Sequence, residues 1–143
     1  MCRALYAVLF FAIACSSASR LKAQVCTGSL GAPVINETFG HSTQYDGGPE
    51  LPSGETNLHF VPGPGCGGED GEYSILQRMG SSCKGGTWQT ISQDHTGEAY
   101  GYMMVINATL QASLFFTYKV DGSKLCPNTT YQFAAWIMNI LRP

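Results

Sequence analysis

Asp94-His95-Thr96-Gly97-Glu98-Ala99-Tyr100-Gly101-Tyr102-Met103-Met104-Val105-Ile106-Asn107 decides the fold class of this chain. A polar, glycine-punctuated turn feeds directly into the longest strand-like run. Tyr102 to Ile106 is apolar at every position, so a strand there has both faces covered and lies inside a sheet. The turn sets a carboxylate, an imidazole and a hydroxyl on consecutive residues at the strand's mouth, where side chains fan out toward an ion or a neighbouring loop. Three roles compete for it: a metal site, a catalytic site, and a clasp closed by side chain to backbone hydrogen bonds with Gly97 as the reversal.

Working outward, strand-like runs recur at Val34 to Phe39, Asn57 to Val61, Glu72 to Arg78, Thr87 to Ser92, Tyr100 to Ala108, Leu114 to Val120 and Tyr131 to Leu141. Glycine- and proline-rich reversals separate them, such as Pro62-Gly63-Pro64-Gly65-Cys66-Gly67-Gly68. No window keeps the i, i+3, i+4, i+7 apolar spacing of a helix without a glycine or proline interruption. The chain is therefore expected to be all-β, and short strands at this spacing predict a sandwich. Phe133 to Ile140, like Tyr102 to Ile106, is apolar on both faces and is expected to be central. Asn139-Ile140-Leu141-Arg142-Pro143 still reads as strand with no closing turn, so the sandwich is expected to be truncated at its C-terminal end.

The first residues stand apart from this pattern. Arg3 precedes the apolar run Tyr6 to Cys15, which is too short to span a bilayer and is followed by small residues. Residues 1–23 read as a secretory signal peptide cleaved after Ala23, leaving one domain over 24–143; a lipoprotein anchor at Cys15 is the lesser alternative. Export places the chain in the medium or at the cell surface, with no membrane insertion after cleavage. Three of the eight basic residues (Arg3, Arg20, Lys22) leave with the signal, whereas all ten acidic residues remain. The mature chain is then near −5, with five basic residues against ten acidic. Its cations are scattered, so a phosphate backbone has nothing to bind and nucleic acid is not an expected partner.

Cysteine usage agrees with export, since Cys26, Cys66, Cys83 and Cys126 remain as an even set in an oxidising compartment. Four cysteines allow three pairings. Cys66 and Cys83 flank one strand-like run, which favours Cys66–Cys83 and leaves Cys26–Cys126 to join the start of the fold to its last hairpin. No two cysteines lie at the spacing of a zinc knuckle.

Three segments together carry a family resemblance: Val25-Cys26-Thr27-Gly28 through Asn36-Glu37-Thr38-Phe39-Gly40; Asp94-His95-Thr96-Gly97 with Gly101-Tyr102-Met103-Met104; and Leu125-Cys126-Pro127-Asn128-Thr129-Thr130-Tyr131 with Phe133-Ala134-Ala135-Trp136. The chain resembles the N-terminal module of large secreted surface proteins of gliding and gut bacteria, which carry a type IX secretion sorting tail. More distantly it is similar to MAM adhesion domains. The resemblance implies a galactose-binding-like jelly roll of the kind seen in carbohydrate-binding modules, with further domains downstream in the same polypeptide. It also supports a structural calcium, for which Asp94, Glu37 and Asp46 are the candidate oxygen ligands.

A binding role would use exposed aromatic rings, on which sugar faces stack while neighbouring polar groups bond the hydroxyls. In a chain with 11% aromatics most rings belong to the core, and Trp88 and Trp136 are expected there. Tyr45, beside Asp46-Gly47-Gly48, and Tyr100 in the turn are the loop candidates, with Asp46 as their polar partner; Tyr102 is a weaker one. Catalytic signals are thin. G-x-S-x-G and H-E-x-x-H are missing, and Gly63, Gly65 and Gly68 match a phosphate cradle by letter only, with Pro64 inside and no helix after. Asp94 and Glu98 could be imagined as a glycosidase pair, but carboxylates this near in sequence are common. The expectation is a non-catalytic recognition or adhesion module for a glycan, against a purely structural cap as the alternative. Sequons at Asn36, Asn107 and Asn128 would matter in a eukaryotic secretory pathway.

Overall fold

A computed structural model describes residues 33–122 and 125–143. The expected signal peptide over 1–23, its expected cleavage position and Cys26 lie outside the described residues. Regular structure within them is strand, gathered in one small mixed sheet: β1 (His59–Phe60), β2 (Glu72–Leu76) and β3 (Met103–Asn107), in the order β1-β2-β3. A 3-10 turn spans Cys83–Gly86. No helix among the described residues is long and apolar enough to cross a membrane.

The sheet is built around β2. Successive side chains of a strand point to opposite faces, and in β2 both faces are buried: Tyr73, Ser74, Ile75 and Leu76 are all closed to solvent. Tyr73 and Ile75 join Leu58 and Tyr102 in one apolar cluster, which Phe60, Met104 and Ile106 extend. Leu76 belongs to a second cluster with Met79, Cys83, Trp88 and Val105, which Met103 extends. The antiparallel register explains the division, because Ile75 faces Met104 and Tyr73 faces Ile106, whereas Leu76 faces Met103 and Ser74 faces Val105. β1 runs parallel to β2, with Phe60 opposite Tyr73.

A disulfide joins Cys66, in the connection between β1 and β2, to Cys83, which is fully buried beside Leu76 and Trp88. Cys126 is disulfide-bonded as well; its expected partner, Cys26, is outside the described residues.

Several expected strands are not strands. Val34 to Phe39 forms none, and Val34 and Ile35 are exposed. Thr87 to Ser92 contributes two isolated bridges, Trp88 to Leu141 and Met79 to Ile91. Leu114 to Val120 forms no ladder; it touches the 55–57 loop through Asn57 N–H to the Leu114 carbonyl (3.3 Å) and Thr117 N–H to the Glu55 carbonyl (2.6 Å). Tyr131 to Leu141 departs furthest from expectation. Pairing begins only at its end, where Gln89 N–H donates to the Ile140 carbonyl (2.7 Å) and Arg142 N–H to that of Thr87 (2.8 Å). Phe133 and Ile137 stand in solvent, and Trp136, expected in the core, is 83% exposed. An apolar run reports that a segment suits a covered, pleated surface and not that a cover exists. The central strand is therefore β2, and β3 pairs on one side only.

Candidate functional site: a cleft floored by Gln77

β2 ends at Leu76, and the next residue carries the site. Gln77 is only 4% exposed, and a buried amide must find partners for its donors and its acceptor. It finds them in two loops. Its Oε1 accepts from Asp46 N–H (3.1 Å), while its Nε2 donates to the carbonyls of Gln44 (2.9 Å) and Tyr100 (3.2 Å) and to Asp46 Oδ1 (3.2 Å). Residues 44–46 and residue 100 are thereby pinned to the same side chain.

Asp46 lies within this network. Its carboxylate accepts from Ser42 Oγ (2.9 Å), from the Tyr102 hydroxyl (2.5 Å) and from Gln77 Nε2. Tyr102 is buried, and burial pushes its phenol above the ordinary value, with the bond to the Asp46 carboxylate pushing the same way. It is a structural residue of the network and not an exposed platform.

Tyr100 holds a backbone angle that a bulky residue rarely adopts, φ 59°. Two hydrogen bonds to its carbonyl, from Gln77 Nε2 and from Ser42 N–H (3.2 Å), keep it there. Adjacent to it, the chains at 40–42 and 100–102 pair through the His41 to Gly101 bridge and the bond from Tyr102 N–H to the Gly40 carbonyl (2.9 Å). Left-handed residues of this kind cost roughly 1–3 kcal/mol and persist where the surroundings over-determine them.

Above Gln77 opens a cleft of about 430 Å³, lined among others by Tyr45, Arg78, Glu98 and Tyr100. Tyr45 and Tyr100, the two loop tyrosines that the sequence singles out, border the same cavity with 42% and 46% of their surface exposed. The Arg78 guanidinium carbon lies 3.9 Å from the centre of the Tyr45 ring. Glu98 Oε2 is 3.6 Å from His41 Nδ1 at the rim. Asp46 sits behind the lining as a support for it.

The turn at Asp94 flanks this cleft. Asp94 is buried, and Thr96 Oγ1 donates to its carboxylate at 2.7 and 2.9 Å while accepting from Glu98 N–H (3.1 Å). Gly97 makes the reversal at φ 75°. Gly101 has no room for a side chain, since a Cβ there would stand 2.8 Å from the Asp94 carboxyl carbon and both its oxygens. His95 is exposed and stacks on Trp136, ring centres 5.8 Å apart.

The proposed calcium ligands are not brought together. Glu37 Oε1 accepts from Phe39 N–H (2.6 Å), Asp46 is held by Ser42, Tyr102 and Gln77, and Asp94 by Thr96. Among the described residues no three His, Cys, Asp or Glu side chains form a group that could hold a metal ion. Glu37 and Asp94 each close a local turn, a common use of Asp and Glu near reversals, whereas Asp46 is tied to the distant Gln77 and Tyr102.

Sequence reasoning missed Gln77 and Arg78, both of which read as the tail of the strand that ends at Leu76. A glutamine directly after Tyr73-Ser74-Ile75-Leu76 was the available signal, because continuing that covered strand buries an amide that then needs partners.

Comparison of the chain with protein-family models, with curated proteins and with solved structures finds no match.

Proposed function

We propose that the chain is a secreted, non-catalytic recognition module that binds carbohydrate in the Tyr45/Tyr100 cleft. One observation carries this reading: two half-exposed tyrosines border a single cavity, and one buried glutamine fixes the backbone of both loops that bear them. Sugar recognition calls for rigid aromatic faces beside a few fixed polar groups, because pre-set partners lose little freedom on binding. Glu98 and Arg78 supply the polar groups. Hydrolysis of a glycoside needs two carboxylates at the bond; here Asp94 is buried against Thr96, which leaves Glu98 as the carboxylate on the cleft.

In the same proposal the three-stranded sheet is the centre of a galactose-binding-like jelly roll at the N-terminus of a larger surface protein. The bridges His41 to Gly101, Gly47 to Leu76 and Trp88 to Leu141 extend pairing beyond the three strands in the manner of such a sandwich.

Glycan-array screening of the protein, followed by calorimetry on the best hits, tests the reading. Binding that falls at least about tenfold in both Tyr45→Ala and Tyr100→Ala, with melting midpoints unchanged, supports it. No glycan bound across the array, or binding indifferent to both substitutions, overturns it.

A further inference from the structure

We infer that the cleft selects sugars bearing a carboxylate, with Arg78 as the anchoring residue; the inference rests on the carbohydrate reading above. Arg78 is exposed, lines the cavity and sets its guanidinium carbon over the Tyr45 ring, 3.9 Å from the ring centre. A guanidinium stacked by its face keeps its N–H edge open, and that edge matches the two oxygens of a carboxylate. The backbone on either side of Tyr45 is also held in advance, by the Gln77 bonds to the Asp46 N–H and the Gln44 carbonyl.

No acidic side chain occupies that edge. The ion pairs among the described residues are His41 with Glu98, His59 with Glu72, and Lys84 with Glu69. Asp46, the nearest acid in sequence to Tyr45, spends its carboxylate on Ser42, Gln77 and Tyr102 and does not line the cavity. Lys84, by contrast, is engaged by Glu69 at 2.8 Å. Arg78 is thus a cation on the cavity with no ion-pair partner among the described residues.

Glu98 sharpens the choice of ligand. A simple anion can meet Arg78 but has no donor for the Glu98 carboxylate on the same cavity. A sugar acid satisfies both, because its carboxylate accepts from the guanidinium while its ring hydroxyls donate to Glu98, and its apolar face lies on Tyr100 or Tyr45. Uronic acid residues of an acidic polysaccharide have this combination.

The test compares short oligomers of galacturonic, glucuronic and mannuronic acid with their methyl esters and with the corresponding neutral sugars, by calorimetry on the full chain. The expected result is binding of at least one acid form about 10- to 100-fold tighter than its ester and its neutral counterpart. Arg78→Gln should abolish that preference at an unchanged melting midpoint, and Arg78→Lys should recover only part of it, having lost the planar fork. Equal binding of acid, ester and neutral forms, or a preference that survives Arg78→Gln, overturns the inference and leaves carbohydrate binding intact. Failure of all three forms to bind overturns the inference, and overturns the carbohydrate reading as well only where the glycan array is also blank.

Discussion

The side-chain amide of Gln77 donates to the carbonyl oxygen of Tyr100 at 3.2 Å, across a sequence separation of 23 residues. That bond couples the end of the central strand to a residue in a rarely occupied backbone region, and so connects sheet packing directly to the shape of the cleft. Removing the amide takes a hydrogen-bond partner from the Gln44 and Tyr100 carbonyls and from the Asp46 N–H. Gln77→Ala should therefore lower stability by about 1–3 kcal/mol in urea titration, and limited proteolysis should open the 44–46 loop. A variant that melts with the wild type would show that the two loops hold themselves.

The two tryptophans should behave oppositely. Trp88 is 5% exposed in the cluster with Leu76, Met79, Cys83 and Val105, whereas Trp136 is 83% exposed. Trp88→Ala is expected to cost about 3–5 kcal/mol, and Trp136→Ala to stay within about 0.5 kcal/mol. Acrylamide quenching of each single-tryptophan variant gives an independent readout: Trp136 should be quenched freely and Trp88 hardly at all.

Gly101 and Asp94 should be energetically coupled. A Cβ on residue 101 meets the Asp94 carboxyl group at 2.8 Å, so Gly101→Ala should destabilise by about 1–3 kcal/mol. In an Asp94→Ala background the obstacle is gone, and the same substitution should cost at least about 0.5 kcal/mol less. A double-mutant cycle by chemical denaturation measures the difference; simple additivity would contradict the close approach.

Alkaline pH should unfold the protein by way of two phenols. Burial raises Tyr73 and Tyr102 above the ordinary 10.0, with the bond to Asp46 adding to the rise at Tyr102. Each phenol binds its proton more tightly folded than unfolded. Their contribution is therefore complete below the unfolded value and is lost as pH rises from about 10 through the folded values. Thermal melts between about pH 8 and 11.5 should show a falling midpoint, and the fall should be shallower in Tyr73→Phe/Tyr102→Phe.

How much of this was legible depends on where the partners lie. The strand within 100–108 could be read because Tyr102 to Ile106 is an unbroken apolar run, and those within 57–61 and 72–78 from the turn-rich segments that bound them. Tyr131 to Leu141 writes the same run, yet only its last residues find a neighbour, at Thr87 and Gln89. Periodicity records what a segment can tolerate against it. What does lie against it is settled elsewhere in the chain. The disulfide Cys66–Cys83 could be read from flanking positions, and Tyr45 and Tyr100 from their glycine-rich surroundings. The arrangement that unites them could not, since Gln77 reaches partners 23 to 33 residues away and carries no local mark of doing so. The three expected calcium ligands are held apart from one another, Glu37 by the Phe39 N–H and Asp94 by the Thr96 hydroxyl within two residues, and Asp46 by Gln77 and Tyr102 from far along the chain.

The Cys66–Cys83 bond has a mechanical consequence. Tension drawn along the backbone passes from residue 66 to residue 83 through sulfur, so the segment between them, which holds β2, Gln77 and Arg78, is off the covalent load path. A pull on the chain strips its outer segments first, while the floor of the cleft is left slack and intact. A ligand gripped there would stay gripped under shear until the flanking loops had given way.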